Sequence, residues 1–168
     1  MTQSSPFTWR RVVILLGRLI LGLFLIIPGY LKLFYPTMAP HWRVGIALTY
    51  FALQVDSYQL LGPQAVSFVA HTLPFAEILL GLLLLVGWRL RIWGSLVSAI
   101  MIGFFAVVLR TYALHLEINC GCFANRSEPL NIWTVIRDGL LAALAIVMTL
   151  LAHLEARKPH PWAAPQKP

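Results

Sequence analysis

The sequence predicts an all-α fold: a polytopic membrane protein built as a four-transmembrane-helix bundle, with an interfacial segment between the first and second helices. Three observations predict it. Hydrophobic residues make up 59% of the 168 residues and charged ones only 11%, with a mean hydropathy of +0.76, whereas a soluble domain carries roughly a quarter charged residues. Four windows hold the ~20 mostly apolar residues that a helix needs to cross a bilayer. The basic residues collect at the ends of those windows, where lipid headgroups lie.

The first span runs from about Val12 to Phe34 and contains Pro28-Gly29, which is expected to kink it. Its start looks like a signal peptide, but the apolar run is too long and no small-x-small cleavage site follows. It therefore reads as an uncleaved first membrane helix. The next stretch, "YPTMAPHWRVGIALTYFALQVDSYQLLGP", is too broken by polar residues to span. It is expected to lie along the interface, with Trp42, Tyr50, Phe51 and Tyr58 at headgroup depth. The second span covers about Gln64 to Val86, the third Ile92 to Ala113 and the fourth Ile132 to Leu154. Residues 1–154 form one domain on this reading, and the proline-rich, polar residues 155–168 read as a disordered tail. Small residues suit close helix contact: Gly17 and Gly22 in the first span, Gly94 and Ser98 at small-xxx-small spacing in the third.

Charge placement sets the expected topology. Arg10 and Arg11 precede the first span, Arg89 and Arg91 sit in the turn between the second and third, and Arg157, Lys158 and Lys167 follow the fourth. These groups share one side and hold seven of the thirteen Lys and Arg residues. The positive-inside rule then makes both termini cytoplasmic and turns the two longer loops outward, in a cytoplasmic (inner) membrane. Arg43 and Arg126 in those loops are too few to reverse it. The net charge of +7 does not mark a nucleic-acid partner, because the basic residues never form a patch with interleaved polar and aromatic side chains. A small-solute transporter is poorly supported, with four spans, no repeat and a single mid-membrane acid.

Both cysteines lie in "EINCGCFANRSEP", between the third and fourth spans. Two cysteines make no disulfide framework and lack the second pair of a zinc site. An outward loop is an oxidising place, where disulfides form and persist. A bridge between Cys120 and Cys122 would need local contraction of the backbone, which Gly121 permits. Its ring is very small, so it would be strained, and strained exposed disulfides tend to be labile or catalytic. It closes almost no loop and so contributes little stability through the unfolded state. Redox exchange stands beside two plainer readings, a clip on a turn and simple buried thiols. Metal binding with His115 is a more distant alternative, lacking a fourth ligand.

Ionisable residues inside spans are costly and default to functional candidates. Arg18 and Glu77 sit at compatible depths, so an Arg18–Glu77 pair inside the bundle is expected, whether for function or only to lock register. Near the outer face lie Lys32, His71, Arg110, Arg137 and Asp138. Arg137 and Asp138 point about 100° apart on a helix, so both cannot face one neighbour squarely. On the plain reading Lys32 and Arg110 snorkel to the interface and His71 is a hydrogen-bonded interior histidine. On the sharper one these residues form a positive pocket beneath the cysteine loop, which would lower thiol pKa values and could hold an anionic or quinone-like partner.

The residues also carry a resemblance. "SYQLLGPQAVSFVAHTLPFAEILLGLLLLVG" resembles the LP-x-x-E-x-x-x-G helix of DoxX-like membrane proteins, at Leu73, Pro74, Glu77 and Gly81. "CGCFANRSEPLNIWTVIRDGLL" resembles the CGCFG…RD segment of the methylamine-utilisation MauE family, which belongs to that group; the matching positions are Cys120, Gly121, Cys122, Phe123, Trp133, Arg137 and Asp138. The position after Phe123 is Ala124, where the family usually has glycine. Gly29, Tyr30 and Lys32 in "PGYLKLFYP" are similar to the family's G-x-x-K ending of the first helix. The resemblance covers nearly the whole chain except the tail. It implies a four-helix bundle in the bacterial inner membrane that supports redox maturation outside the cytoplasm. The implied partner is a periplasmic thioredoxin-like or client protein, and in the wider group the implied cofactor is a quinone. The rival is a non-catalytic membrane scaffold or assembly factor whose Cys-Gly-Cys segment only shapes a docking loop.

Overall fold

The computed structural model describes residues 8–34, 44–116, 118 and 130–156. They form five helices: α1 (Thr8–Phe34), α2 (Val44–Ser57), α3 (Pro63–Val86), α4 (Leu90–Ala113) and α5 (Ile132–Ala156). The four spans expected from sequence are α1, α3, α4 and α5, each of 24 to 27 residues. At a rise of ~1.5 Å per residue they exceed the ~30 Å hydrocarbon core. At 14 residues, α2 is too short to cross. Large apolar side chains face outward along the spans, among them Leu15, Leu19, Phe68, Leu79 and Leu140. In water such faces would not stay unpaired; in lipid they are the solvated surface.

Each boundary has a local cause. Pro63 opens α3 at its first position, where its missing N–H costs nothing, and the Val66 N–H donates back to the Gly62 carbonyl at 3.0 Å. Gly87 closes α3 in the left-handed region, at φ 76°, with its N–H donating to Leu83 O at 2.9 Å. Asn131 caps α5, its Oδ1 accepting from the Thr134 N–H at 3.1 Å. The helical path of α1 runs through Pro28 without interruption.

The spans alternate in direction: a tight turn joins α3 to α4, while α2 lies in the connection from α1 to α3 and a longer loop joins α4 to α5. Packing is most extensive between α1 and α3 and between α4 and α5; α1 also packs on α5, while α3 and α4 touch only sparingly despite the short turn joining them. The core runs through the middle, built from Leu21, Leu84, Val97, Ala145 and Met148 among others.

Small residues decide how close the helices approach. A Cβ on Gly22 would lie 3.1 Å from the Gly81 carbonyl oxygen, and one on Gly81 would lie 2.7 Å from the Gly22 carbonyl oxygen. Here two backbones touch. Gly17 faces α5, where Met148 fills the space, so α1 presents small residues to both α3 and α5. Gly94 and Ser98 face α5 as well, and Ser98 Oγ lies 3.0 Å from Thr149 Oγ1.

The segment between the first two spans differs in detail from the expectation. Tyr50 is exposed, but Phe51 and Tyr58 are buried, because α2 packs on α3 and α1. Trp42 lies outside the described residues.

Candidate functional site

The interior charges do not pair as the sequence reading expected. Glu77 Oε1 accepts a hydrogen bond from Lys32 Nζ at 2.5 Å, and Arg18 takes no part. The Arg18 guanidinium instead donates to two carbonyls at the end of α3, Nε to Leu84 O at 2.8 Å and Nη2 to Leu85 O at 2.5 Å. One rule explains both outcomes. Helical side chains lean toward their own N-terminus. In the antiparallel α1–α3 pair, Glu77 leans toward the loop end of the bundle and Arg18 leans the other way. Lys32 leans down from the end of α1 and meets Glu77; Arg18 reaches the last turn of α3, whose carbonyls have no intrahelical donor.

This pairing gives the two helix motifs one meaning. Pro74, Glu77 and Gly81 lie on the face of α3 that meets Gly22, Gly29 and Lys32 of α1. A Cβ on Gly29 would be 2.9 Å from Pro74 O and 3.2 Å from Glu77 Cβ. The glycines bring the backbones together so that the acid and the amine can touch. Lys32 is only 6% exposed, so it does not snorkel. Its ammonium also lies 4.7 Å from the centre of the Phe51 ring, a cation–π contact. Glu77 Oε2 is buried with no hydrogen-bond partner.

The expected cluster at the outer face does not converge. Arg137 Nε lies 3.0 Å from Asp138 Oδ1 on its own helix, and Arg137 Cζ lies 6.0 Å from the Phe24 ring centre. Asp138 is buried, and its Oδ2 has no partner. His71 is exposed, with Nδ1 2.7 Å from the Ser67 carbonyl of its own helix, rather than interior. Arg110 is also exposed, in the last turn of α4. Lys32–Glu77 and Arg137–Asp138 are therefore separate ion pairs, and these five described residues form no shared positive pocket.

Beside Lys32 lies a cavity of about 220 Å³, open on one side. Lys32 of α1, Phe51 and Gln54 of α2, Tyr58 just after it, Leu73 of α3, and Phe104 and Val107 of α4 line it. It occupies the gap left where α3 and α4 pack loosely, with α2 as a wall. Sequence reading missed it, because its lining comes from four helices and α2 looked like a surface segment. The one available signal was a lysine two residues before the end of an apolar run, followed by an aromatic-rich helix too short to span.

Cys120 and Cys122 lie outside the described residues, as do Gly121 and Phe123. The flanks of their loop are described. The Leu130 N–H donates to Ile118 O at 3.0 Å, joining the two arms at the end of α4 and the start of α5. This neck lies at the same end of the bundle as the Lys32–Glu77 pair. His115, at φ 51°, is exposed just beyond α4, and Trp133 is exposed in the first turn of α5.

A family model described as "Methylamine utilisation protein MauE" matches residues 10–151. The chain belongs to this family. The match takes in nearly all of the four spans, α2 and the segment that holds the two cysteines. Together with the four long apolar helices it makes the chain a multi-pass membrane protein of the MauE family. No curated protein and no solved structure matches the chain.

Proposed function

We propose that this protein is a membrane thiol–disulfide component, whose Cys120–Cys122 pair exchanges disulfides with a thioredoxin-like or client protein outside the cytoplasm. The Cys-Gly-Cys segment within the family-matched region carries this reading. The backbone hydrogen bond between Leu130 and Ile118 supports it, since it ties the two ends of the cysteine segment together at the end of α4 and the start of α5. The family's description points to a client used in methylamine utilisation.

The step balances as follows. A client dithiol loses two electrons and two protons as its own disulfide forms. The Cys120–Cys122 disulfide accepts them through a mixed disulfide and leaves as two thiols. A lipid-soluble quinone, becoming quinol, is the oxidant that restores the pair. The basic residues at Arg10, Arg11, Arg89 and Arg91 support a topology with the termini in the cytoplasm and the loop outside.

The test is redox trapping in cells with a membrane-impermeant alkylating mass tag. The pair should shift between tagged and untagged forms when the periplasm is made reducing. A pair locked in one state defeats the proposal. Cys120→Ser with Cys122→Ser should abolish client disulfide formation; full retention leaves a non-catalytic scaffold with a structural loop as the reading.

A further inference from the structure

We propose that the cavity between α2, α3 and α4 binds a neutral, planar, single-ring conjugated carbonyl compound drawn from the bilayer, with Lys32 Nζ donating to the carbonyl oxygen. Size comes first. The cavity measures about 220 Å³, and a hydrocarbon-lined cavity of ~150 Å³ already accepts benzene. One substituted ring fits; pockets for drug-sized ligands run to ~300–1,000 Å³. The walls come second. Phe51, Tyr58 and Phe104 supply aromatic surface and Leu73 and Val107 aliphatic surface, which suits a flat apolar ring.

The charge decides between occupants. An ammonium has three N–H groups; Glu77 takes one, and the Phe51 ring lies against the same nitrogen. Because Glu77 neutralises Lys32, the ligand needs no charge of its own. An anion would meet the carboxylate as well as the hydrocarbon walls and would lose its hydration without return. A phospholipid acyl chain would fill the walls but give the ammonium no acceptor beyond Glu77. A carbonyl oxygen on a ring satisfies both. Leu73 of α3 and Phe104 and Val107 of α4 place one wall on the loosely packed seam between two spans, so the ligand can arrive through lipid. A quinone ring and a simple aromatic ketone share this chemistry. Binding does not require thiol exchange and stands even with both cysteines inert.

The full-length protein in lipid nanodiscs is titrated with para-fluoroacetophenone and followed by fluorine NMR. Saturable binding is expected. Para-fluoroethylbenzene, of similar shape without the carbonyl, should bind about tenfold or more weakly. Val107→Trp fills the cavity while leaving Lys32 and Glu77 intact and should abolish binding of both. Lys32→Met with Glu77→Met removes donor and acid together and should bring the ketone to the affinity of the hydrocarbon. Solvent extraction and mass spectrometry of the purified protein separate the natural sources: a quinone or an aromatic ketone, recovered from wild type and depleted from Val107→Trp, supports the site. Equal affinity for the two probes, unchanged binding in Val107→Trp, or a retained phospholipid that the ketone fails to displace overturns it.

Discussion

Lys32→Met removes the cation from a pair whose side chains are 6% and 15% exposed. It leaves Glu77 facing α1 with neither oxygen served, since Oε2 already lacks a partner. Two independent scales give the size of the loss. Breaking a buried ion pair by removing one member costs ~3–5 kcal/mol. An unpaired charge at the centre of a membrane helix costs ~2.5–3.5 kcal/mol on insertion scales. An interhelical hydrogen bond between neutral groups in a bilayer averages only ~0.6 kcal/mol, so the stranded charge dominates. The expected loss is about 3 kcal/mol, or roughly a hundredfold in the folding equilibrium. Lys32→Met with Glu77→Met replaces both charges by apolar groups of similar length and should fall within about 1 kcal/mol of wild type. Reversible unfolding in mixed micelles, followed by circular dichroism, measures all the variants, with Glu77→Met completing the cycle. If Lys32→Met costs under about 1 kcal/mol, or if the double variant equals the sum of the singles, the two side chains are not coupled and the α1–α3 argument fails.

Other substitutions test the same frame. Gly81→Ala places a methyl group 2.7 Å from the Gly22 carbonyl oxygen, which cannot yield, and should cost ~1–3 kcal/mol. Gly17→Ala meets only the flexible Met148 side chain, at 3.2 Å, and should lower the same unfolding midpoint distinctly less. Arg18→Met strips the donors from Leu84 O and Leu85 O and should cost ~1–3 kcal/mol, with hydrogen exchange rising first in the last turn of α3. Gly87→Ala should also lower the unfolding midpoint, because its φ of 76° disfavours a side chain and the added methyl group would run into the Arg18 guanidinium.

Much of the architecture was legible because a bilayer imposes a length and a polarity on every crossing segment. Val12–Phe34, Gln64–Val86, Ile92–Ala113 and Ile132–Leu154 differ from α1, α3, α4 and α5 by at most a few residues at their ends. Helix direction then followed because successive crossings of a bilayer must alternate. The Arg18–Glu77 expectation failed at a finer scale. Depth along the helix was judged from Cα position, and side chains of five to seven atoms lean by about a turn. In an antiparallel pair the two leans either converge or diverge, and here convergence selects Lys32. The same limitation hid the exposure of His71, which a hydropathy window cannot assign to a face.

By itself, the sequence determined the membrane class, the four crossings, the family-matched cysteine loop and the small residues that permit close packing, since each depends on local composition or spacing. Only the tertiary structure decided which small residue meets which helix, that Lys32 rather than Arg18 neutralises Glu77, and that α2 turns Phe51 and Tyr58 inward to wall a cavity. Those outcomes depend on the relative rotation and register of helices remote in sequence. Register is set by backbones touching at Gly22 and Gly81, a contact between residues 59 positions apart that no window along the chain contains.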